Sequence, residues 1–97
     1  MTEALDNRNV LMREFEIQNQ YGIHARPAAL FVKIASRYGG DVQVEKDGTR
    51  VSGKSIMGLM TLQASCGCKL LVTVSGSDGE QMLDELGDLI ERKFDED

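Results

Sequence analysis

The chain has 97 residues, which is enough for one domain with one modest hydrophobic core. Its net charge of −5 argues against a nucleic-acid binder, because affinity for nucleic acid comes mainly from clustered lysine and arginine. No stretch is long and apolar enough to span a membrane, and the N-terminus lacks the pattern of a signal peptide, so we expect a cytoplasmic protein without direct membrane insertion.

The chain divides into a central domain and two short flanking segments. Residues 1–11 are mostly polar without a clear period, which predicts a loose N-terminal extension. A domain is expected over 12–94, and it opens with an alternation of polar and apolar residues at 13–18 that indicates a half-buried strand. The last residues, 95–97, form an acidic tail, which we interpret most simply as a solvated exit from a helix.

The only histidine, His24, lies in the heptapeptide GIHARPA. Imidazole side chains titrate near neutral pH in general and are therefore usable nucleophiles. Pro27 suits the first turn of a helix, which would place His24 at the helix N-terminus among unpaired backbone N–H groups. Arg26 adds a fixed positive charge, so the motif predicts a nucleophile inside an anion site. On these residues alone, a structural or surface histidine remains the alternative.

An amphipathic helix and a hairpin follow this motif. Apolar residues recur every three or four positions over 25–38, which predicts a helix that ends at Gly39 and Gly40. The next segment alternates again, and Asp47 with Gly48 is a strong signal for a two-residue β-turn. We therefore expect the second and third strands to form a hairpin.

The segment KSIMGLM, residues 54–60, predicts a short second helix. Ser55 is a good N-cap because its hydroxyl can accept a hydrogen bond from a first-turn N–H. The helix is apolar on nearly every side, so some of Ile56, Met57 and Met60 should face solvent as an adaptable docking surface. A small core helix with methionine as filler is an equally weighted alternative.

The C-terminal half predicts one more strand and one more helix. Alternation at 70–74 indicates a strand, and Ser77 with Glu80 forms a capping-box pattern. An apolar stripe over 82–94 then predicts a third helix. The resulting order, β-α-β-β-α-β-α, indicates an α+β fold in two layers, with helices covering one face of a sheet.

The two cysteines, Cys66 and Cys68, do not point to a metal site. A single residue between them is too short for the usual zinc pairings, so we expect free thiols in a turn. No motif for a cofactor is present. We therefore predict neither a metal nor a cofactor.

Two motifs, GIHARPA at 22–28 and KSIMGLM at 54–60, together with the order of elements, are similar to those of the HPr family. These proteins are the histidine-containing phosphocarriers of the phosphoenolpyruvate-dependent phosphotransferase system. The resemblance covers residues 13 to about 94. It implies an open-faced β-sandwich, with a four-stranded antiparallel sheet and three helices on one face.

The resemblance also implies a function and its residues. His24 would accept a phosphoryl group on Nδ1 from phospho-enzyme I and pass it to sugar-specific IIA domains, and Arg26 would stabilise the group. Ser55 matches the serine that HPr kinase/phosphorylase modifies. The remaining expected contacts are Ala25 and Tyr21 with the phosphate at the helix start, and Ile56, Met57, Met60 and Leu30 with docking partners. The protein would be a monomeric carrier and not a stand-alone enzyme.

One departure and two alternatives accompany this resemblance. Tyr21 stands where family members often carry a small polar residue near the phosphate; its hydroxyl would donate to the group, or its ring would cover the site. A regulatory paralogue from a nitrogen-related phosphotransferase chain would share most of these features. A binding module that uses the methionine-rich helix and leaves His24 idle is the third possibility.

Overall fold

The computed structural model describes residues 10–96. In that range the predicted order of strands and helices is confirmed, and no helix there is long and apolar enough to cross a membrane. The strands are β1 Val10–Glu16, β2 Val42–Lys46, β3 Thr49–Ser52 and β4 Lys69–Ser75, and the helices are α1 Ala25–Ala35, α2 Ile56–Thr61 and α3 Gly79–Glu91, followed by a 3₁₀-like turn at Lys93–Asp95.

The four strands form one antiparallel sheet in the order β1-β4-β2-β3. The alternation predicted in β4 is confirmed, since Leu70, Val72 and Val74 are all buried. These side chains share one face of the strand because successive residues of a strand point to opposite sides. The three helices cover this face, and the predicted open-faced α+β sandwich is therefore confirmed.

The hairpin between β2 and β3 is also confirmed. Asp47 and Gly48 have φ values of 52° and 85°, as the two central residues of a type I′ turn require. The turn sets Val44 opposite Val51 in the register of the two strands. Val44 is fully buried, so the hairpin directs an apolar side chain into the core.

Two boundaries, the start of β1 and the end of α1, differ from the sequence prediction. Strand β1 already begins at Val10, so residues 10–11 belong to the sheet and not to a loose extension, while residues 1–9 lie outside the described range. Helix α1 ends at Ala35 and not near Gly39. The role of Gly40 is close approach instead, because a Cβ there would lie 1.7 Å from the carbonyl oxygen of Ser75.

The last helix differs from its prediction at both ends. Its N-cap is Asp78, without a side-chain capping bond, so the capping box predicted at Ser77 is wrong. The helix ends at Glu91, and Phe94 lies in the following turn, where Lys93, Phe94 and Asp95 have φ values between 55° and 59°. This left-handed turn buries Phe94 completely and directs Glu96 back towards His24.

The hydrophobic core lies between the sheet and the three helices. Helix α3 approaches β1 closely because residue 87 is a glycine: a Cβ there would lie 2.7 Å from Cε1 of Phe15. The largest fully buried side chains are Phe31, Phe94, Ile17, Leu59, Leu70, Met82, Leu83, Leu86, Leu89, Ile90, Val42 and Val44.

Candidate functional site

The loop before α1 is fixed to the segment that follows α2. Gly22 has a φ of +67°, and a Cβ at this position would lie 2.1 Å from the carbonyl oxygen of Ala64. The next residue, Ile23, donates its backbone N–H to the same oxygen at 2.9 Å. This close backbone contact sets the position from which the chain enters α1, and therefore the position of His24.

His24 is the N-cap residue of α1, with an extended backbone at φ −94° and ψ −166°. Its carbonyl accepts the hydrogen bond from the Ala28 N–H at 3.0 Å, while its side chain does not cap the helix. The imidazole is 44% exposed and so is accessible from solvent. Ala25 and Arg26 are also exposed, and their backbone N–H groups belong to the first turn, which has no acceptors within the helix.

A carboxylate that the sequence analysis left without a role completes this site. Oε2 of Glu96 lies 2.9 Å from Nε2 of His24 and 3.4 Å from Nη1 of Arg26. Its other oxygen, Oε1, accepts a hydrogen bond of 3.1 Å from Nδ2 of Asn19. The interpretation of the tail as a solvated exit is therefore wrong at Glu96, whose side chain is only 18% exposed, while Asp97 lies outside the described residues.

Asn19 is the second residue that sequence reasoning missed. It is fully buried, and its Nδ2 donates both to Glu96 and, at 2.7 Å, to the carbonyl oxygen of Gly22. Because the Gly22 carbonyl and the Glu96 carboxylate are both acceptors, only the amide orientation that turns the NH₂ group of Asn19 towards them forms both hydrogen bonds. Asn19 thus links the His24 loop to the C-terminal tail. In the sequence it is one polar loop residue among several, and nothing marks it.

The surroundings of Glu96 keep its side chain ionised. Burial by itself would raise the pKa of this carboxyl group, but the hydrogen bonds from Asn19 and His24 and the charge of Arg26 lower it. The net result is a pKa of Glu96 below its ordinary value. At neutral pH a full negative charge therefore faces the imidazole.

The short helix α2 carries the other predicted residues. Ser55 is confirmed as its N-cap, since Oγ accepts a hydrogen bond of 2.9 Å from the Gly58 N–H. Met57 is 78% exposed, and Ile56 and Met60 are about half as exposed, at 40% and 41%. We call these three side chains the α2 apolar surface. The structure thus favours a surface role for them over core filler.

The remaining predicted contacts differ in exposure. Leu30 is only partly buried and packs against the core, so it contributes less free surface than the α2 side chains. Tyr21 is 74% exposed on the loop before His24. Its hydroxyl makes no hydrogen bond to any other residue of the range 10–96. Tyr21 therefore leaves the imidazole exposed, and it takes no part in the hydrogen bonds that Glu96 makes with Asn19, His24 and Arg26.

The cysteines lie in the turn before β4. Both are free thiols, and a hydrogen bond from Ser65 lowers the pKa of Cys68. Among the described residues, no three His, Cys, Asp or Glu side chains are grouped in a way that could hold a metal ion. The imidazole of His24 is itself 44% exposed, so the His24 site is open to solvent.

Comparison with known proteins matches residues 11–92 to the family PTS-HPr, described as "PTS HPr component phosphorylation site". The phosphocarrier protein HPr of Treponema pallidum is 39% identical over 87 residues, which cover 90% of this chain and 99% of that protein. The HPr-like protein Crh of Bacillus subtilis is 39% identical over 84 residues, covering 87% and 99% of the two chains.

Solved structures give the same result. A crystal structure of HPr from Thermoanaerobacter tengcongensis superposes with a TM-score of 0.86 at 46% identity, covering 90% of this chain and 98% of the other. An HPr dimer from the same organism gives a TM-score of 0.72 at 49% identity, with 84% and 94% covered. With the His24 site at the start of α1 and a family match over most of its length, the chain belongs to the HPr family of the phosphotransferase system.

Proposed function

We propose that the protein is a cytoplasmic phosphocarrier that accepts a phosphoryl group on His24 from phospho-enzyme I and passes it to IIA domains of sugar permeases. It acts as a transfer component and not as a stand-alone enzyme. The single observation that carries this proposal is the exposed imidazole at the N-terminus of α1, beside the guanidinium of Arg26. Membership of the HPr family supports the same assignment.

The chemistry of the transfer follows from the surroundings of His24. The lone pair of Nδ1 attacks phosphorus in line, the N–P bond forms, and the bond between phosphorus and the donor nitrogen breaks. Negative charge on the three equatorial oxygens is stabilised by the N–H groups of Ala25 and Arg26, by the positive end of the helix dipole and by the Arg26 guanidinium. Because this stabilisation comes from fixed groups on an open surface, the phosphoryl group can leave by the same route.

The α2 apolar surface is our candidate for partner docking. Ile56, Met57 and Met60 expose flexible apolar side chains, which suit transient contacts with several partners. Phosphorylation of Ser55, for which HPr kinase/phosphorylase is the expected enzyme, would add a charge of about −2 at the edge of this surface. The N-terminal end of α2 tolerates that charge, so we expect weaker docking with the fold unchanged.

Incubation with phosphoenolpyruvate, Mg²⁺ and enzyme I tests the proposal. The wild-type protein should take up one phosphoryl group that is labile in acid and stable in alkali, and the His24→Ala variant should take up none. Ser55→Ala is the matched control, because it leaves His24 intact and should be labelled like the wild type. Equal labelling of the His24→Ala variant would overturn the assignment.

A regulatory carrier of a nitrogen-type phosphotransferase chain is the second candidate, since it would use the same exposed imidazole at the start of α1. The two candidates differ in their acceptors. The phosphorylated protein, mixed with purified IIA domains, should label sugar-specific domains under the first proposal and only nitrogen-type regulators under the second.

We further propose that the working form is a monomer, which light scattering would test directly. The HPr dimer from Thermoanaerobacter tengcongensis makes this measurement informative.

A further inference from the structure

The side-chain carboxylate of Glu96, which lies beside His24, is placed to influence the transfer itself. We propose that Glu96 is a positioning residue, which holds the imidazole of His24 with its proton on Nε2 and leaves the lone pair of Nδ1 free for the phosphoryl group. This inference rests on the proposed function, because it assigns a role in that same reaction. It adds a residue that neither of the two sequence motifs contains.

The two ring nitrogens of His24 have different surroundings. Nε2 faces Oε2 of Glu96 at 2.9 Å, whereas Nδ1 has no hydrogen-bond partner within residues 10–96. An ionised carboxylate can only accept a hydrogen bond, so the nitrogen that faces it must carry the proton. The neutral ring then has its lone pair on Nδ1. The contact therefore selects both the tautomer and the ring orientation that an attack from Nδ1 requires.

The same carboxylate stabilises the product of the attack. When Nδ1 forms its bond to phosphorus and the donor bond breaks, the neutral ring becomes a phosphoimidazolium that retains its Nε2 proton. Positive charge then develops on the ring, 2.9 Å from the carboxylate of Glu96. Onward transfer reverses this change, because the N–P bond breaks towards the acceptor and the ring becomes neutral again. No proton has to leave the site in either direction.

Arg26 can bind the phosphoryl group while Glu96 stays hydrogen-bonded to His24. Its contact with the carboxylate is the longer of the two, at 3.4 Å against 2.9 Å, and its side chain is 58% exposed. The guanidinium has five N–H donors in a planar fork, so turning towards a doubly charged phosphoryl group gains contacts there. We therefore assign Arg26 to the phosphoryl oxygens and Glu96 to Nε2.

The structure holds Glu96 in this position from two sides. The buried amide of Asn19 binds the carboxylate oxygen that His24 does not contact. The preceding turn has left-handed φ values at three residues that are not glycine, a conformation that residues with a Cβ generally disfavour. The complete burial of Phe94 within that turn keeps it in place. A solvated chain end would have neither feature.

The test compares Glu96→Ala and Glu96→Gln with Asp95→Asn as the matched control. Asp95 is the adjacent acid, and its carboxylate accepts a hydrogen bond from Arg92. Asparagine keeps that acceptor and tolerates the left-handed φ of this position, so Asp95→Asn changes the tail charge and leaves the turn before Glu96 in place. For Glu96→Ala we expect kcat for phosphorylation by enzyme I to fall about tenfold, because a charge-assisted hydrogen bond is lost. KM should stay within about twofold, because the α2 apolar surface is unchanged. Glu96→Gln, which keeps an acceptor without the charge, should fall between Glu96→Ala and the wild type.

A second readout does not depend on transfer. In ¹⁵N-edited NMR of the unphosphorylated protein, the Nε2 proton of His24 should be protected in the wild type and in Asp95→Asn, and should exchange rapidly with water in Glu96→Ala. The inference is overturned if Glu96→Ala transfers as fast as Asp95→Asn or faster, or if its Nε2 proton stays protected. A wild-type protein that takes up no phosphoryl group on His24 would instead refute the proposed function, and the NMR result would still report the contact.

Discussion

The backbone contact at Gly22 gives a sharp prediction about the loop that positions His24. In Gly22→Ala the new methyl group would lie 2.1 Å from the carbonyl oxygen of Ala64 and 2.8 Å from the Cα of Ser65. Both neighbours are backbone atoms, so no side-chain rotation relieves the overlap. The loop must move away, and the hydrogen bond from Ile23 to Ala64 is lost with it.

The expected cost has three parts. A left-handed φ at a residue other than glycine costs about 1–2 kcal/mol, overpacking costs about 1–3 kcal/mol, and the lost hydrogen bond costs about 1 kcal/mol. Together they predict that Gly22→Ala lowers the free energy of unfolding by about 3–6 kcal/mol. For a domain of this size, each kcal/mol lowers Tm by roughly 4–8 °C.

Gly67 offers a matched control for this calculation. Its φ is +93°, also in the left-handed region, but a Cβ there would have nothing within 4 Å. Gly67→Ala therefore isolates the backbone cost and should lose only about 1–2 kcal/mol. Urea unfolding followed by circular dichroism measures both variants. If they lose equal stability, the close contact between Gly22 and Ala64 does not hold the loop, and our account of how His24 is positioned is wrong.

Three further predictions concern stability elsewhere in the chain. Ser55→Ala should lower the free energy of unfolding by about 1 kcal/mol through loss of the N-cap, and Ser55→Asn should restore most of it; equal urea midpoints for all three proteins would contradict the cap. Gly87→Ala should destabilise despite a gain of about 1 kcal/mol in helix propensity, because the methyl group meets the ring of Phe15; a raised Tm would show that the ring moves aside without cost. The stability that ionised Glu96 contributes should be fully present above its ordinary pKa of about 4.5 and should be lost as pH falls through its lowered folded-state pKa. Unfolding curves of wild type and Glu96→Gln should therefore converge in acid, and a constant difference down to low pH would refute the pairing.

The parts of the fold that follow from local patterns were predictable. Alternation marked β4, the Asp47-Gly48 pair marked the hairpin of β2 and β3, and the position of Pro27 marked the start of α1. Each of these signals depends on residues that are neighbours in the chain. Steric preference or the burial of one face acts at that range, and no knowledge of the tertiary structure is needed.

The errors arose where a distant part of the chain decides the local structure. Gly40 was interpreted as a helix stop, yet it permits contact with the backbone of Ser75, at the end of a strand far along the chain. Phe94 continued the apolar stripe of α3, but its burial is achieved by a left-handed turn that its residue types disfavour. Periodicity correctly predicted that Phe94 is buried. It could not predict the route of the backbone.

The position of Glu96 has a physical explanation that also sets a condition on the phosphoryl group. In a chain with 16 acidic residues and 11 basic ones, an exposed anion site attracts the protein's own carboxylates as well as its substrate. A carboxylate that occupied the space beside Nδ1 would compete with transfer. Glu96 binds at the opposite ring nitrogen, where it orients His24 while the space beside Nδ1 stays open. Under the proposed transfer from Nδ1, a carboxylate beside His24 is therefore compatible with the reaction only on the Nε2 side of the ring, and the buried amide of Asn19 holds Glu96 there.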